Sequence, residues 1–427
     1  MIRAAVERCA GIDIGKDVLA VCIMVGPLDQ EPRVEVRQFL TIRRELDKLQ
    51  QWLAGEQVTH VAMESTGSYW KPVFNILEGH FTVYLANPVE VKNRKGHKTD
   101  KKDGQWLAHL LRHAMITPSF IPPRPIRELR DVTRRRKRML GNATSERNRV
   151  QKILEDANVK LGSVLSDLFG VSGQRMLEAL LEGETDPAKI AGMGKGRLKK
   201  RVADVMAALE GHQMSEHHRR MIHFSLEHLQ FLEKQIAELD RQIELQIERA
   251  GLSPQWEALR SIPGIEQTSA ATVLAETGAD MTQFESEKHF SSWAGVCPGN
   301  NRSAGKNKSS RTTKGNPWLR SALAECAWAA AAKKNCFIRD KFWRIATRSG
   351  GRRKTAIVAT AHTLLLLIYR VLETGLPFTP KDAPPLTENQ RDRLIRHHIR
   401  RLGNLGIAVR SCRARSSPPH NPPPVTM

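Results

Sequence analysis

The stretch Cys9-Ala-Gly-Ile-Asp-Ile-Gly-Lys-Asp-Val-Leu-Ala-Val-Cys-Ile-Met-Val25 decides the fold that we predict for the N-terminal part of the chain. It is rich in apolar and β-branched residues and is divided by Gly15, so we expect a strand and its continuation across a bend. Asp13 lies in the middle of this strand, where a carboxylate is costly unless it is paired or binds a metal. The stretch therefore predicts a sheet that carries an acidic group.

The residues that follow alternate strands with helices. The patterns predict strands at 34–39, 58–63 and 81–86, and helices at 41–53, up to about residue 77, and from Thr99 or Asp100 to Leu111. This order of elements is typical of an α/β domain with a mixed sheet.

Three further acids can meet Asp13 in such a domain. Glu64 follows the strand at 58–63, and Asp100 and Asp103 lie three residues apart at the start of the last of these helices. If the strands of Asp13 and Glu64 are neighbours, both carboxylates emerge at one edge of the sheet, where the helix start can join them. Four carboxylates of this kind would bind a pair of hard cations that clamp the attacking and leaving oxygens of a phosphodiester.

Each acid also has an ordinary explanation when it is considered alone. Asp103 is a good partner for the dipole of a helix N-terminus, and Asp13 is compatible with the phosphate loop of an actin-like kinase. The order Asp, Glu, Asp-x-x-Asp, with each acid in the right structural context, favours the metal site.

The composition points to a polyanionic partner. The chain has 427 residues, with 67 Lys and Arg against 45 Asp and Glu, and its formal net charge of +22 exceeds what solubility requires. DNA or RNA is the simplest partner. The six cysteines are scattered without metal-ligand spacing, which favours a reducing compartment and argues against a zinc module. The longest apolar run, Thr363 to Tyr369, is too short to span a bilayer, and no signal peptide is evident, so we expect a cytoplasmic protein without membrane contact.

Two segments concentrate the positive charge. Residues 124–149 contain ten Lys and Arg and three acids, and the loop between Gly299 and Arg320 contains six Lys and Arg and no acid. Ser261-Ile-Pro-Gly-Ile265 is similar to the turn of a helix-hairpin-helix, whose backbone N–H groups bind phosphate, although a plain helix turn needs the same residues. The predicted nucleic-acid-binding residues are Lys98, Lys101, Lys102, Arg134, Arg135, Arg136, Gly264, Arg302, Lys306, Lys308, Arg311, Lys314 and Arg320.

Ser303 lies within the acid-free basic loop. A serine in that setting can act as a nucleophile on a phosphodiester, because neighbouring Arg and Lys side chains stabilise the charge that develops. It can equally be a plain phosphate hydrogen-bond donor, and Ser309 and Ser310 compete for either role. The spacing alone does not choose among them.

The remaining segments set the domain organisation. We predict an α/β domain with the four acids at 1–149, a helical insert and coiled-coil linker at 150–250, a mainly helical domain with Ser303 at 251–380 and a basic, disordered tail at 381–427. An apolar repeat at 229, 232, 236, 239, 243 and 247 indicates a short coiled coil and a dimer contact. A helix that packs on its own domain would show the same pattern.

The motifs as a set resemble the DEDD transposases of the insertion-sequence-110 family, which are relatives of the Piv DNA invertase. The matching motifs are Gly-Ile-Asp-Ile (11–14), Met-Glu-Ser-Thr-Gly-Ser-Tyr-Trp (63–70), Asn-Pro (87–88), Lys-Thr-Asp-Lys-Lys-Asp (98–103), Ser-Ile-Pro-Gly-Ile (261–265), Trp-Ala-Gly-Val-Cys-Pro (293–298), Arg-Ser-Ala-Gly (302–305), Lys-Gly-Asn-Pro-Trp-Leu-Arg (314–320) and the segment around Leu376-Pro-Phe378. They span about residues 8–380 in the family's order. One departure is Ala304, where many relatives have Gly after the serine.

The resemblance implies a fold and a mechanism. The fold would be an α/β RuvC-like (RNase H) domain, a helical and coiled-coil linker, and a mainly α transposase domain. Asp13, Glu64, Asp100 and Asp103 would bind Mg²⁺, and Ser303 would join covalently to DNA. Family members are guided by a structured bridge RNA and act as dimers that pair into tetramers.

Two other functions remain open from the residues. A RuvC-like nuclease would hydrolyse DNA junctions with the four acids and leave Ser303 without a catalytic role. A non-catalytic nucleic-acid-binding protein would use the acids only structurally.

Overall fold

A five-stranded mixed sheet forms the N-terminal unit. The computed structural model describes residues 4–64, 67–86, 103–297, 301–303, 306–309, 312, 314–379, 388–405 and 407. The strands are β1 (Arg8–Ile14), β2 (Val18–Val25), β3 (Arg33–Leu40), β4 (His60–Glu64) and β5 (Thr82–Ala86), in the spatial order β3-β2-β1-β4-β5. β1, β4 and β5 run parallel, and β2 and β3 pair antiparallel beside β1. The stretch 9–25 thus folds back at Gly15 into a hairpin.

Helices cover both faces of this sheet. α1 (Arg43–Gly55) and α2 (Trp70–Leu77) pack on the face that carries Ile12 and Met63. α3 (Asp103–Arg112) packs on the opposite face, against Cys9 and Ala62. The alternation of buried side chains along β1 explains the two layers, since successive residues of a strand point to opposite faces. This mixed α/β unit is compatible with an RNase H-like fold.

Two long helices connect the sheet to the rest of the chain. α4 (Arg124–Asp156) and α9 (Glu216–Arg249) run antiparallel, and Arg136 pairs with Asp240 while Arg147 pairs with Glu233. The apolar repeat of α9 lies on α4 of the same chain, with Leu229 and Leu232 against Met139 and Ala143. The partner of this repeat is therefore the chain itself, which is the alternative that the sequence left open.

The segment between these long helices folds around a core of its own. It contains α5 (Leu161–Val164), α6 (Val171–Glu182), α7 (Pro187–Gly192), a 3-10 turn (Gly196–Lys200) and α8 (Val202–Ala207). Their apolar residues pack with Val150 and Leu154 of α4 and Ile222 of α9. We call residues 157–215 the insert.

The C-terminal unit is mainly helical. It comprises α10 (Ser253–Arg260), α11 (Gln267–Thr277), a 3-10 turn (Met281–Gln283), α12 (Glu287–Trp293), β6 (Asn301–Ser303), β7 (Lys306–Ser309), α13 (Pro317–Ala332), α14 (Phe337–Arg348) and α15 (Arg353–Thr374). Its core includes Ile126 of α4 and Ile243 of α9, so the ends of the long hairpin belong to it. α15 is long and apolar enough to cross a membrane, but 67% of its most apolar window is buried in this core.

The prediction of a disordered tail is wrong for residues 388–404. They form the helix α16 (Glu388–Asn404), and Ile395 on it is 46% exposed. The segment contains good helix formers and an acid at its start, and Ile395, Ile399 and Leu402 recur at helical spacing. Its high Arg content obscured that periodicity. Residues 381–387, 406 and 408–427 lie outside the described part of the chain.

Candidate active site: a carboxylate edge and a basic hairpin

The sheet brings Asp13 and Glu64 to the same edge and the same face. In the parallel pairing of β1 with β4, Ile12 is the partner of Met63, so Asp13 and Glu64 are the next residues on the two strands. Ile12 and Met63 face α1 and α2, and their successors therefore face α3. Both acids are half-buried. The condition set by the sequence analysis, that these two strands are neighbours, is met.

α3 begins beside this pair, and its first residue is Asp103. The helix lies unusually close to β1: a Cβ on Gly11 would be 2.1 Å from the carbonyl oxygen of Gly104 and 2.3 Å from the amide nitrogen of Ala108. Gly104 in turn lies over Ala20, which pairs with Asp13 across the hairpin. The half-buried Asp103 therefore stands next to the end of β1 that carries Asp13.

Arg112 holds the C-terminal end of α3 in place through hydrogen bonds. Only 2% of this residue is exposed, and its guanidinium donates hydrogen bonds to the carbonyl oxygens of residues 6, 7, 26, 27 and 30. These carbonyls belong to the start of β1 and to the turn between β2 and β3. With Gly11 at one end and Arg112 at the other, α3 has one defined position on the sheet.

The donor set at this edge consists of carboxylates, which are the ligands that hard divalent cations prefer. Asp13, Glu64 and Asp103 thus fit such an ion by their chemistry. Within the described ranges, however, no three His, Cys, Asp or Glu side chains converge closely enough to hold a metal ion. Asp100, the fourth predicted acid, lies outside the described residues, as do Lys98, Lys101 and Lys102.

The basic loop forms a short antiparallel hairpin. β6 ends at Ser303 and β7 begins at Lys306, and these two residues are Cα partners next to the turn. Arg302 pairs with Asn307, and Lys308 lies further along β7. Ser303 therefore stands at the tip of a hairpin with a lysine directly across from it. Arg311 lies outside the described residues.

The base of this hairpin is closed by backbone contact. A Cβ on Gly315 would be 2.3 Å from the amide nitrogen of Gly295, so the two chain segments cross without space for a side chain. Asn316 follows, and its side-chain oxygen caps α13 by accepting from the amides of Trp318 and Leu319. The hairpin thus emerges from a rigid base.

A buried ion pair connects that base to α4. Glu276 is fully buried at the end of α11. Its carboxylate accepts two hydrogen bonds of 2.7 Å from the guanidinium of Arg134 and one of 2.7 Å from the side-chain amide of Asn316. Arg130 donates to the backbone oxygens of Ala275 and Glu276. Burial lowers the pKa of Arg130 to about 10, and the nearby Glu276 opposes that shift. Sequence reasoning missed Glu276, although an acid in the apolar helix 267–277 is a signal for it.

The other predicted nucleic-acid-binding residues fall into two groups. Arg134 and Arg136 are held in ion pairs with Glu276 and Asp240, whereas Arg135, Lys314 and Arg320 are exposed. Gly264 has a φ of +91°, and a Cβ there would be 2.5 Å from the carbonyl oxygen of Cys326. Close packing of the turn on α13 explains this glycine without a ligand.

Comparison with known proteins identifies the chain. A family model for the DEDD transposase of IS110, described as "Transposase", matches residues 10–159, and a model for the "Transposase IS116/IS110/IS902 family" matches residues 256–343. A "Probable family 20 transposase" of Pseudomonas aeruginosa is 26% identical over 329 residues, which cover 75% of this chain and 82% of that relative. The carboxylate edge lies in the first matched segment and the basic hairpin in the second, with residues 160–255 between them.

The protein is therefore a transposase, an enzyme that cleaves and transfers DNA strands. Within that class it belongs to the IS110 family. Its substrate is DNA, and the four-acid motif in the name of the first family model suggests a dependence on divalent metal.

Proposed function

We propose that this transposase cuts and rejoins DNA through two sets of groups, the acids at the sheet edge and Ser303 at the hairpin tip. The observation that carries the proposal is the position of Asp13 and Glu64 at the same end of two neighbouring parallel strands, beside the start of α3 at Asp103. In this proposal residues 1–149 carry the acids, residues 150–250 form the linker, and residues 251–380 carry the serine.

The acids would hold Mg²⁺ together with Asp100. When bound, the ion supplies Lewis-acid stabilisation of the phosphodiester oxygens on which charge develops. The chain's own contribution is the placement of the carboxylates. The Gly11–Gly104 contact and Arg112 fix where α3 begins relative to β1 and β4, so Asp103 is held beside the edge before DNA arrives.

The serine step would form a covalent intermediate. The Ser303 oxygen attacks the phosphorus of the DNA backbone, a phosphoserine ester forms, one P–O bond of the DNA breaks, and the departing oxygen leaves as a DNA hydroxyl. The proton of the serine hydroxyl passes to solvent, and the departing oxygen takes a proton from solvent. Two features support the role of Ser303: its position at a hairpin tip opposite Lys306, and the absence of acids from residues 299–320.

The net charge of +22 and the family resemblance support a second nucleic acid, a structured bridge RNA that selects the DNA to be joined. Phe224 and Phe231 of α9 support a homodimer that pairs into a tetramer. The two side chains are 57% and 54% exposed, and large apolar side chains exposed on a surface mark a contact with another protein. We place the reaction in the bacterial cytoplasm, at the nucleoid.

Strand cleavage on labelled DNA from the ends of the element tests the acidic site. Asp13→Asn and Glu64→Gln should each lower cleavage by at least about a hundredfold while DNA binding persists. Asp17→Asn is the matched control, because Asp17 is exposed in the same hairpin. Full cleavage by Asp13→Asn would reject the site. Cleaved DNA ends without attached protein would favour the hydrolytic junction nuclease instead.

A further inference from the structure

The insert carries a compact group of four exposed cations at its 3-10 turn, namely Lys195, Arg197, Lys199 and Lys200. None of the four has an ion-pair partner among the residues that the structure describes. Of the four other cations in the insert, three are paired locally, Lys160 with Glu155, Lys189 with Glu184 and Arg201 with Asp204, and Arg175 is a single exposed cation. We call these four residues the cationic turn.

The positive charge of the insert is therefore concentrated at this turn. The insert contains eight Lys and Arg and seven Asp and Glu, so its overall charge is close to zero. A surface shaped only for solubility would intersperse both signs. Here the unpaired positive charges lie within about 10 Å along one turn, at roughly 2 Å per residue. The mutual repulsion of these four charges raises the free energy of the folded protein, and a bound anion would reduce that repulsion.

The turn is held firmly on the body of the insert. Leu198 packs into the insert core, and the amide of Lys195 donates to the side-chain oxygen of Ser172 at 3.0 Å. Gly194 lies against Leu198 and Met176, and the guanidinium of Arg201 donates to the carbonyl oxygen of Val164 at 3.0 Å. The four charges therefore project from a fixed backbone, which lowers the entropy lost when they engage a ligand.

A repeating polyanion fits these features better than a single small anion does. All four residues are exposed, and they lie within six consecutive positions of the chain. Lysine contacts phosphate as a point charge, without a demand for base or sequence geometry. We propose that the cationic turn is a docking site for the phosphate backbone of a nucleic acid. The proposal requires only that the transposase binds nucleic acid and not that Ser303 is its nucleophile.

The long helix α4 sets where this contact falls. Arg134 holds the base of the basic hairpin, and the insert is attached at Asp156, about 22 residues further along α4, or roughly 33 Å. At roughly 3.4 Å per base pair, that distance equals about ten base pairs of duplex. The attachment point of the insert is therefore about one helical turn of DNA away from the point where Arg134 contacts Glu276.

The test compares the full-length protein with a variant in which Lys195, Arg197, Lys199 and Lys200 are all changed to Gln. Dissociation constants are measured against salt concentration for a 40-base-pair DNA duplex and a structured RNA hairpin. The control carries Lys160→Gln and Lys189→Gln, which remove cations that are already paired. Equal melting temperatures establish that both variants fold.

The slope of log K against log salt should become shallower by about 2 to 4 with the 40-base-pair duplex, the RNA hairpin, or both, because each lost phosphate contact contributes on the order of 0.7–0.9. The polymer that shows the change is the ligand. The control variant should show a change below about 1. Unchanged slopes for both DNA and RNA would overturn the proposal, and so would an equal change in the control variant.

Discussion

The side-chain amide of Asn316 donates a 2.7 Å hydrogen bond to the carboxylate of Glu276. The amide oxygen of the same Asn316 caps α13, directly after the basic hairpin. Because Glu276 is fully buried and also accepts two hydrogen bonds from Arg134, it joins α11, α13 and α4 at one point. The base of the hairpin that carries Ser303 is thereby fixed to the same long helix that follows the sheet unit.

Exchanging the carboxylate of Glu276 and the side-chain amide of Asn316 tests whether their hydrogen bond positions the hairpin. Asn316→Asp alone should remove most DNA cleavage, because it places two carboxylates in contact in a buried site. The double variant Glu276→Gln with Asn316→Asp restores one amide and one carboxylate and keeps the cap acceptor, so cleavage should recover by at least about tenfold. Cleavage rates at saturating DNA measure both.

Thermal unfolding of the same variants separates positioning from folding. Ser321→Ala is the matched control, because Ser321 is exposed on α13 and contacts Glu325 rather than Glu276. Failure of the double variant to recover, with a melting temperature equal to that of the wild type, would contradict the positioning role.

Gly11→Ala should displace α3 from the sheet. The added methyl group would meet backbone atoms of Gly104 and Ala108 at 2.1 and 2.3 Å, and neither can move as a flexible side chain would. We expect a loss of more than about 3 kcal/mol in the free energy of unfolding and a loss of cleavage. Denaturant unfolding measures this, with Gly55→Ala as control because a Cβ there would meet nothing within 4 Å. Equal stability of the two variants would reject the described contact.

The acidic edge should bind divalent metal without DNA. Titration of the wild-type protein with Mn²⁺, followed by calorimetry or electron paramagnetic resonance, should show at least one site. Asp13→Asn and Asp103→Asn should each weaken it by about tenfold or more, and Asp17→Asn should leave it unchanged. Binding of equal strength in Asp13→Asn would place the metal elsewhere.

The contact between Glu78 and Arg127 should make stability depend on pH. Hydrogen bonds from Arg127, together with its charge, lower the pKa of Glu78 below its ordinary value of 4.5, against the opposing effect of burial. A carboxyl group whose pKa is lowered in the folded state stabilises that state fully above its unfolded pKa, and the contribution is lost as the pH falls through the folded pKa.

Glu78→Gln should therefore cost up to about 1 kcal/mol at pH 7, and the difference from the wild type should shrink below pH 4.5. Denaturant unfolding at several pH values measures it. Glu128→Gln, at an exposed position of α4, is the control. A difference that stays constant across this range would contradict the account.

The sequence was most informative where one residue pattern matches one physical requirement. The position of Asp13 within one strand and of Glu64 at the end of another predicted two carboxylates at one edge, on the condition that the two strands are neighbours. The helices at 253–260 and 267–277 follow from their apolar spacing and have the predicted bounds. These features depend on local periodicity, which a single sequence displays.

Features that depend on long-range pairing were not predictable. The apolar repeat of α9 predicts that one face of this helix is buried. It does not tell whether α4 of the same chain or a second chain packs against that face. Arg134 and Arg136 resembled free phosphate ligands because their partners, Glu276 and Asp240, lie more than a hundred residues away in the sequence. The hairpin at 301–309 was predicted only as a loop, since polar residues dominate it.

The account depends most on the covalent role of Ser303, and one measurement addresses it directly. Labelled DNA from the ends of the element is incubated with Mg²⁺ and protein, and the products are separated on a denaturing gel. We predict a protein–DNA adduct with the wild type and with Ser309→Ala, which alters the opposite end of the same hairpin, and no adduct with Ser303→Ala. An undiminished adduct in Ser303→Ala, or cleaved DNA that carries no protein in the wild type, would contradict the account.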